Sequence, residues 1–381
     1  MVKTKVMKTK AMKILENEKM EKTAVTEITT EVSGTKRKLA CVKCIDDLLP
    51  IEGADKIEVA VVGGWKVVVK KGDFKKGELA VYLEIDSWVP TEVAPFLTKS
   101  GHEPKEYNGV KGERLRTVKL KKQISQGLLL PTTTQNSAGA VAGALFGEGD
   151  DVSEFLGIQR WEPPIDARLA GNARGNFPYF IPKTDQARIQ NLNLEFKEYN
   201  AKGITREKTE KLHGSSMTVY LNEDTEGVCS RNIDLKQETG NAFWDIAIRD
   251  NMHEKMKSIA GEEGWNFAIQ GELCGHGING NTLKLKQHEF FVFDIYDIDK
   301  QEYLLPEERY KVLEGSSFKH VPVIAKNIRL NQASIEDIIQ DADGKSVIAA
   351  DVAREGFVYK AMQDRNCSFK AISSEWLLKN E

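Results

Sequence analysis

Lys211-Leu212-His213-Gly214-Ser215-Ser216-Met217-Thr218-Val219-Tyr220-Leu221 joins a lysine–glycine turn to an alternating run. Residues 216–221 alternate polar and apolar, the period of a half-buried strand. Gly214 lets the backbone turn close to a bound ligand. A lysine amine attacks only when neutral, and its free pKa is near ~10.4, so nucleophilic use needs neighbours that deprotonate it. Taken alone, the same stretch also reads as a surface lysine before a turn.

Outward from this turn, the second half of the chain mixes two periods. Phe243, Ile246, Ala247, Met252, Met256 and Ile259 recur at near-helical spacing, whereas Phe267-Ala268-Ile269 and Phe290-Phe291-Val292-Phe293 read as buried strands. Ser334-Ile335-Glu336-Asp337 has the form of a capping box, with Asp in place of the usual Glu or Gln. Phe357-Val358-Tyr359-Lys360 and residues 367–372 are two late strands. The pattern is α+β.

Upstream, Ile57-Glu58-Val59-Ala60-Val61-Val62, Trp65-Lys66-Val67-Val68-Val69 and Leu79-Ala80-Val81-Tyr82-Leu83-Glu84-Ile85 are short β-branched and aromatic runs punctuated by glycine. Residues 115–121 alternate apolar and basic, which predicts a half-buried strand. A small β-barrel over about 38–155 fits this spacing. Residues 138–149 read as a loop and 172–182 as irregular but packed. The predicted organisation is a flexible leader over 1–35, a barrel domain over 36–160, and an α+β domain over 161–381 whose first part, 161–200, is a connector.

The 381 residues suit two or three domains. Lys and Arg total 54 against 57 Asp and Glu, a net charge of -3, which excludes a uniformly basic nucleic-acid coat but not a local basic groove. No apolar run approaches the roughly 20 residues of a membrane helix, and no membrane association is expected. The Lys-rich start lacks the apolar core of a secretory signal; organelle targeting is the alternative to a loose extension. Five scattered cysteines do not form a disulfide framework and point to a reducing, cytoplasmic setting. Cys41 and Cys44 invite a zinc or redox reading, but no second pair follows at finger spacing, and ordinary strand cysteines are expected.

Ser230-Arg231-Asn232, Gly271-Glu272-Leu273-Cys274-Gly275, Phe291-Val292-Phe293-Asp294-Ile295-Tyr296, Glu355-Gly356-Phe357-Val358-Tyr359-Lys360 and Ser368-Phe369-Lys370-Ala371-Ile372 follow the Lys211 turn in that order. Together they resemble the signature motifs of the covalent nucleotidyltransferases, the ligases and capping enzymes that form a lysyl-nucleotide. His213 makes the turn similar to that of RNA ligases, since DNA ligases and capping enzymes usually carry Asp there. Ala54-Asp55-Lys56-Ile57-Glu58, residues 80–86, Ser125-Gln126-Gly127-Leu128 and the connector Phe177-Pro178-Tyr179-Phe180-Ile181-Pro182-Lys183-Thr184-Asp185-Gln186 resemble the Deinococcus/Naegleria RNA ligase family, which has an N-terminal OB domain. The resemblance covers about residues 38–378.

The resemblance implies an ATP-dependent ligase that joins RNA 3′-OH and 5′-phosphate ends through lysyl-AMP and RNA-adenylate, at nicks in duplexes, with Mg²⁺ or Mn²⁺. Lys211 is the implied nucleophile, its pKa lowered by Lys370, Lys360 and a metal. Arg231 forks onto ribose or phosphate, and Phe293 stacks on adenine. Glu272 accepts from a ribose hydroxyl or holds a metal's water. Glu355 belongs to the metal shell, and Lys370 contacts the α-phosphate. Glu210, His213, Gly214 and Lys360 complete the implied nucleotide site; His213 either touches the ligand or holds the loop. One active site per chain needs no partner, so a monomer with RNA as its macromolecular ligand is expected.

The last motif departs from the two-lysine pattern of related ligases, since Ile372 stands at the second position. Lys360, Lys183 or Arg188 is the candidate replacement. Gly275-His276-Gly277-Ile278-Asn279-Gly280 matches G-x-G-x-x-G, but the alternating run after it is not the helix a dinucleotide site needs. His253 and His320 read as isolated. Lys111, Arg114, Arg116, Lys119, Lys121 and Lys122 form a basic stretch that is either a protected sheet edge or an RNA contact through Arg114, Arg116, Lys119 and Lys121, with Trp65, Tyr82 or Trp88 supplying aromatics. Two other functions compete: a DNA ligase or capping-type nucleotidyltransferase, and a nucleic-acid-binding protein without catalysis.

Overall fold

A computed structural model describes residues 37–164, 167–262 and 264–380. The leader expected over 1–35 lies outside the described residues. Residues 37–380 belong to one compact unit.

Short strands build its N-terminal part. Ile57–Val62 and Trp65–Lys70 form a hairpin with Asp47–Pro50 alongside. Leu79–Leu83 pairs with both Ala40–Cys44 and Leu128–Pro131. Ser87–Pro90 lies between Val110–Arg114 and Gln159–Arg160. Alternation sends side chains of the Leu79–Leu83 strand into two cores. Ala80 and Tyr82 join Trp65, Val67 and Leu129, while Val81 and Leu83 join Val42, Val89 and Leu130. Trp65, Tyr82 and Trp88 are all buried, so the aromatics expected to stack on RNA are core residues instead. Cys41 and Cys44 sit as free thiols in a strand.

Three local expectations change. The run 115–121 is not one strand: Leu115 is buried, but Val118–Leu120 is an exposed strand that, among the described residues, pairs only with Gln123–Ser125. The loop over 138–149 contains a short helix, Ala142–Leu145. The connector contributes a strand, Ala173–Asn176, paired with Ile233–Leu235.

The second half has two sheets. The larger is centred on Ser215–Asn222, Phe267–Cys274 and Glu289–Asp297. Helices Ala242–Arg249 and Met252–Ala260 cover one face with Phe243, Ile246, Met252 and Met256 against Met217, Val219 and Ile269. The helical run predicted across both breaks at Asn251, whose φ of +49° no helix accommodates. The smaller sheet is ordered Val323–Ile328, Arg206–Lys211, Gly356–Ala361, Ser368–Ile372. Helix Ile335–Ala342 packs on it and opens with the expected box, Ser334 and Asp337 capping each other. Among the described residues no helix is long and apolar enough to cross a membrane.

The last helix, Ser374–Asn380, returns to the N-terminal part. Ile372, Trp376 and Leu377 complete the core around Trp65 and Val67. Trp376→Ala is expected to cost about 3–5 kcal/mol, the range for truncating a buried aromatic. The loss is read as a lower midpoint in urea with an unchanged slope; an unaltered midpoint refutes this packing role.

Candidate active site

Register sorts the smaller sheet into two faces. Glu207 lies opposite Lys360, Thr209 opposite Val358, and Lys211 opposite Gly356, while Val358 in turn faces Lys370. Alternation therefore gathers Lys211, Val358, Lys360 and Lys370 on one face. The other carries Phe357, Tyr359, Phe369 and Ala371, packed on Ile189, Phe196 and Ile338. Glu210 follows that second face. Its carboxylate accepts the Val347 N–H at 2.8 Å, so the structure turns Glu210 away from Lys211 and does not bring it into the predicted nucleotide group.

The larger sheet supplies the facing wall. Ser216 pairs with Glu272 and Glu272 with Phe291, whereas Gly271 pairs with Val292 in the layer beneath. A bulge follows: Gln270 pairs with Asp294, leaving Phe293 without a partner residue. An extra residue in one strand re-aims its neighbours, so Phe293 and Asp294 both reach toward the cleft. Lys360 spans to them. Its Nζ lies 2.5 Å from Asp294 Oδ1, donates to the Phe293 carbonyl at 2.8 Å, and sits 5.7 Å from the Phe293 ring centroid.

Lys211 ends its strand with Nζ 2.7 Å from Glu355 Oε1. Burial alone pushes this amine's pKa down, but the Glu355 and Glu272 carboxylates outweigh it and hold it above the usual value. The expected depression by Lys360 and Lys370 is not met, because Glu355 is the nearest charge and Lys360 is spent on Asp294. Burial pushes the Glu355 carboxyl up, yet Lys211 and His213 bring it down to about 2. Glu355 Oε2 is buried without a hydrogen-bond partner. His213 Nδ1 is 3.6 Å from it, and the imidazole packs edge-on to Trp376 at 4.8 Å.

Glu272 accepts the Gly214 N–H at 2.9 Å. Burial, with Glu355 as a like charge nearby, raises its carboxyl to about 7 against the pull of Lys211. Gly214 has no room for a side chain: a Cβ there would lie 2.3 Å from the Leu273 carbonyl and 2.7 Å from Cys274 Sγ. The glycine thus lets the lysine turn press on the Glu272 strand.

Lys370 is brought down to about 7 by burial and then by the Arg188 guanidinium, with Asp185 opposing. Arg188 pairs with it through a backbone bridge and reaches Asp86 Oδ2 at 3.1 Å. Lys183, in contrast, donates to Asn232 Oδ1 at 2.9 Å. Arg231 lies at the rim beside Asp185 at 3.3 Å and Glu162 at 3.5 Å. Arg114 is committed elsewhere: it pairs with Asp86 at 2.6 Å and covers the Trp161 ring at 3.8 Å, which removes it from the expected RNA-facing set. Arg116, Lys119 and Lys121 are exposed.

Several members were not found by reading the sequence. Arg309, wholly buried, bonds Glu207 at 2.5 Å, His320 Nε2 at 2.9 Å and approaches Asp294 at 3.7 Å. His320 is therefore part of a buried ionic network and not isolated. Asp294 had a signal, since it directly follows Phe293, but Arg309 and Glu207 carry none. A cavity of about 580 Å³ beside Trp65, Phe196 and Ile335 contains none of the predicted site residues.

Residues 207–372 match the RNA ligase family, and residues 39–132 match an OB-fold domain family. A Naegleria gruberi RNA ligase variant solved with AMP and manganese is 44% identical, with a TM-score of 0.81, over 90% of this chain and 99% of that one. A second variant, with ATP and manganese, gives the same four values. The Naegleria gruberi RNA ligase with pyrophosphate matches at 44% identity and a TM-score of 0.78, over 90% of this chain and 99% of that one. No curated protein matches the chain. With an OB-fold domain ahead of an α+β ligase domain, and likeness sustained over nearly the whole length of a solved RNA ligase, the chain belongs to the RNA ligase family.

Proposed function

We propose that this protein is an ATP-dependent RNA ligase that seals 3′-OH/5′-phosphate nicks in duplex RNA. The observation that carries this reading is Lys211 held against Glu355 on the same sheet face as Lys370. Lys211 Nζ attacks the α-phosphorus of ATP; the N–P bond forms, the bond to the bridging oxygen breaks, and pyrophosphate leaves. An RNA 5′-phosphate oxygen then displaces the lysine to give RNA-adenylate. Finally a 3′-OH attacks the activated phosphorus and AMP departs. These are phosphoryl transfers, in which positioning and charge stabilisation do most of the work.

The side chains divide that work. Lys370 faces the α-phosphate, and Arg188 supplies the second charge that Ile372 cannot. Arg231 is freed from Asp185 to grip ribose or phosphate. Phe293 closes on adenine, with Lys360 fixing it through its carbonyl. Glu355 and Glu272 suit a hydrated divalent cation, as the unpartnered Glu355 Oε2 supports. Such a cation supplies positive charge where the α-phosphate becomes more negative. Glu355 holds Lys211 at 2.7 Å and raises its pKa; a cation held by Glu355 would offset that carboxylate charge and so favour the neutral, nucleophilic amine.

The test is a nicked RNA duplex incubated with Mg²⁺ and ATP, followed for RNA-adenylate and sealed strand. Sealing of DNA nicks alone, or labelling by GTP in place of ATP, overturns the reading in favour of another nucleotidyltransferase. RNA binding with no protein adduct points to a non-catalytic binder. Phe293→Ala is expected to weaken ATP binding by about 1–3 kcal/mol, the range for a lost base–aromatic stack. Unchanged affinity by calorimetry removes Phe293 from the pocket.

A further inference from the structure

The exposed ribbon formed by Val118–Leu120 and Gln123–Ser125 has a turn of two residues, because Leu120 pairs with Gln123. Lys121 and Lys122 fill it with φ of +48° and +67°. A two-residue turn with both φ positive is the type I′ turn, which asparagine and glycine fill with little strain and lysine does not. Strained backbone of this kind gathers at functional positions. The second observation is aliphatic. Val118 and Leu120 alternate as core residues do, yet they are 45% and 43% exposed. The third is charge, since Lys119, Lys121 and Lys122 are all exposed within this short ribbon. Lysines also guard sheet edges, but edge protection explains neither exposed valine and leucine nor two lysines at a strained tip.

We propose that this ribbon docks duplex RNA, its lysines pairing with backbone phosphates and Val118 and Leu120 lying on the sugar edges of the minor groove. The inference rests on the RNA ligase reading and adds a contact away from the nucleotide cleft. The A-form duplex favours this mode: its major groove is too narrow for side chains, while its minor groove is wide and shallow enough for a ribbon. Lysine serves phosphates without base specificity, as a nick-sealing enzyme needs.

The experiment uses the full chain and its K121N/K122G variant, which gives the turn the residues it prefers and so protects the fold. Self-adenylylation reports that the nucleotide site is intact. Binding to a nicked RNA duplex is measured across a salt series. The expected result is a loss of about tenfold in affinity and a log–log salt slope reduced by about two, one for each phosphate-bound lysine. K119Q, V118S and L120S add further losses on the duplex and little on single-stranded RNA. Unchanged affinity and slope in K121N/K122G overturn the proposal and leave the ribbon to a protein partner, while sealing by the wild type keeps the ligase reading standing. Wild-type protein that neither binds nor seals nicked RNA overturns both.

Discussion

Lys211→Ala is expected to reduce adenylylation to background while the protein stays folded. Among the described residues no other lysine is placed to replace it: Lys360 is tied to Asp294, and Lys370 lies two strands away on the same face. Mass spectrometry after incubation with Mg²⁺ and ATP locates AMP on Lys211 in the wild type and on nothing in the variant. An adduct at another lysine in the variant refutes the assignment. Stability carries a second signature. Removing the lysine strands a buried carboxylate, a change that typically costs about 3–5 kcal/mol. In the wild type the Glu355 carboxyl lies near 2, below its ordinary 4.5. A depressed carboxyl contributes stability above the unfolded value and loses it as pH falls through the folded one. The stability gap between wild type and Lys211→Ala should therefore be full above pH 4.5 and close toward pH 2.

Glu355→Ala tests the opposite side of the ion pair, and here two effects predict opposite signs. Glu355 raises the Lys211 pKa, so its removal makes the amine easier to deprotonate. If proton loss alone limited the first step, the variant would be faster at neutral pH. If Glu355 instead belongs to a metal shell, adenylylation falls, by at least about 10–100-fold on the scale of damaged metal environments. The loss is expected, because Oε2 is buried without a hydrogen bond and has only His213 Nδ1 near it, at 3.6 Å. A Mg²⁺ titration separates the cases: the metal-shell role requires the variant to need more Mg²⁺ or to stop responding to it. Normal rates across that titration dismiss it. Glu355→Gln keeps the shape, and its failure to rescue would place the role in the charge.

The strands that build the site were legible because period and turn chemistry are local properties. The residues 216–221, 267–269, 290–293 and 357–360 all lie in strands, as do 368–372 of the run 367–372, and Ser334 caps its helix as its side-chain chemistry requires. The motif order around Lys211 was equally readable, since covalent neighbours such as His213 and Gly214 travel with the lysine. The RNA ligase family came from these motifs, and the OB domain ahead of them from residues 54–58, 80–86 and 125–128.

Only the tertiary structure decided which charges meet. Lys211 and Glu355 are far apart in the chain, and their ion pair reverses the expected direction of the lysine's pKa. Strand register, which one residue of slip would invert, turned Glu210 away from Lys211. It also aimed Phe293 and Asp294 together through a bulge and tied Lys360 to them. Burial of Trp65 and Tyr82 depended on a core completed by the distant Trp376, while Val118 and Leu120, alternating just as convincingly, stayed outside. The sequence by itself determined the elements and the family, because these rest on neighbours along the chain. The ion pairs, faces and exposed ribbon were decided by folding, because Coulomb interaction and burial depend on distance in space.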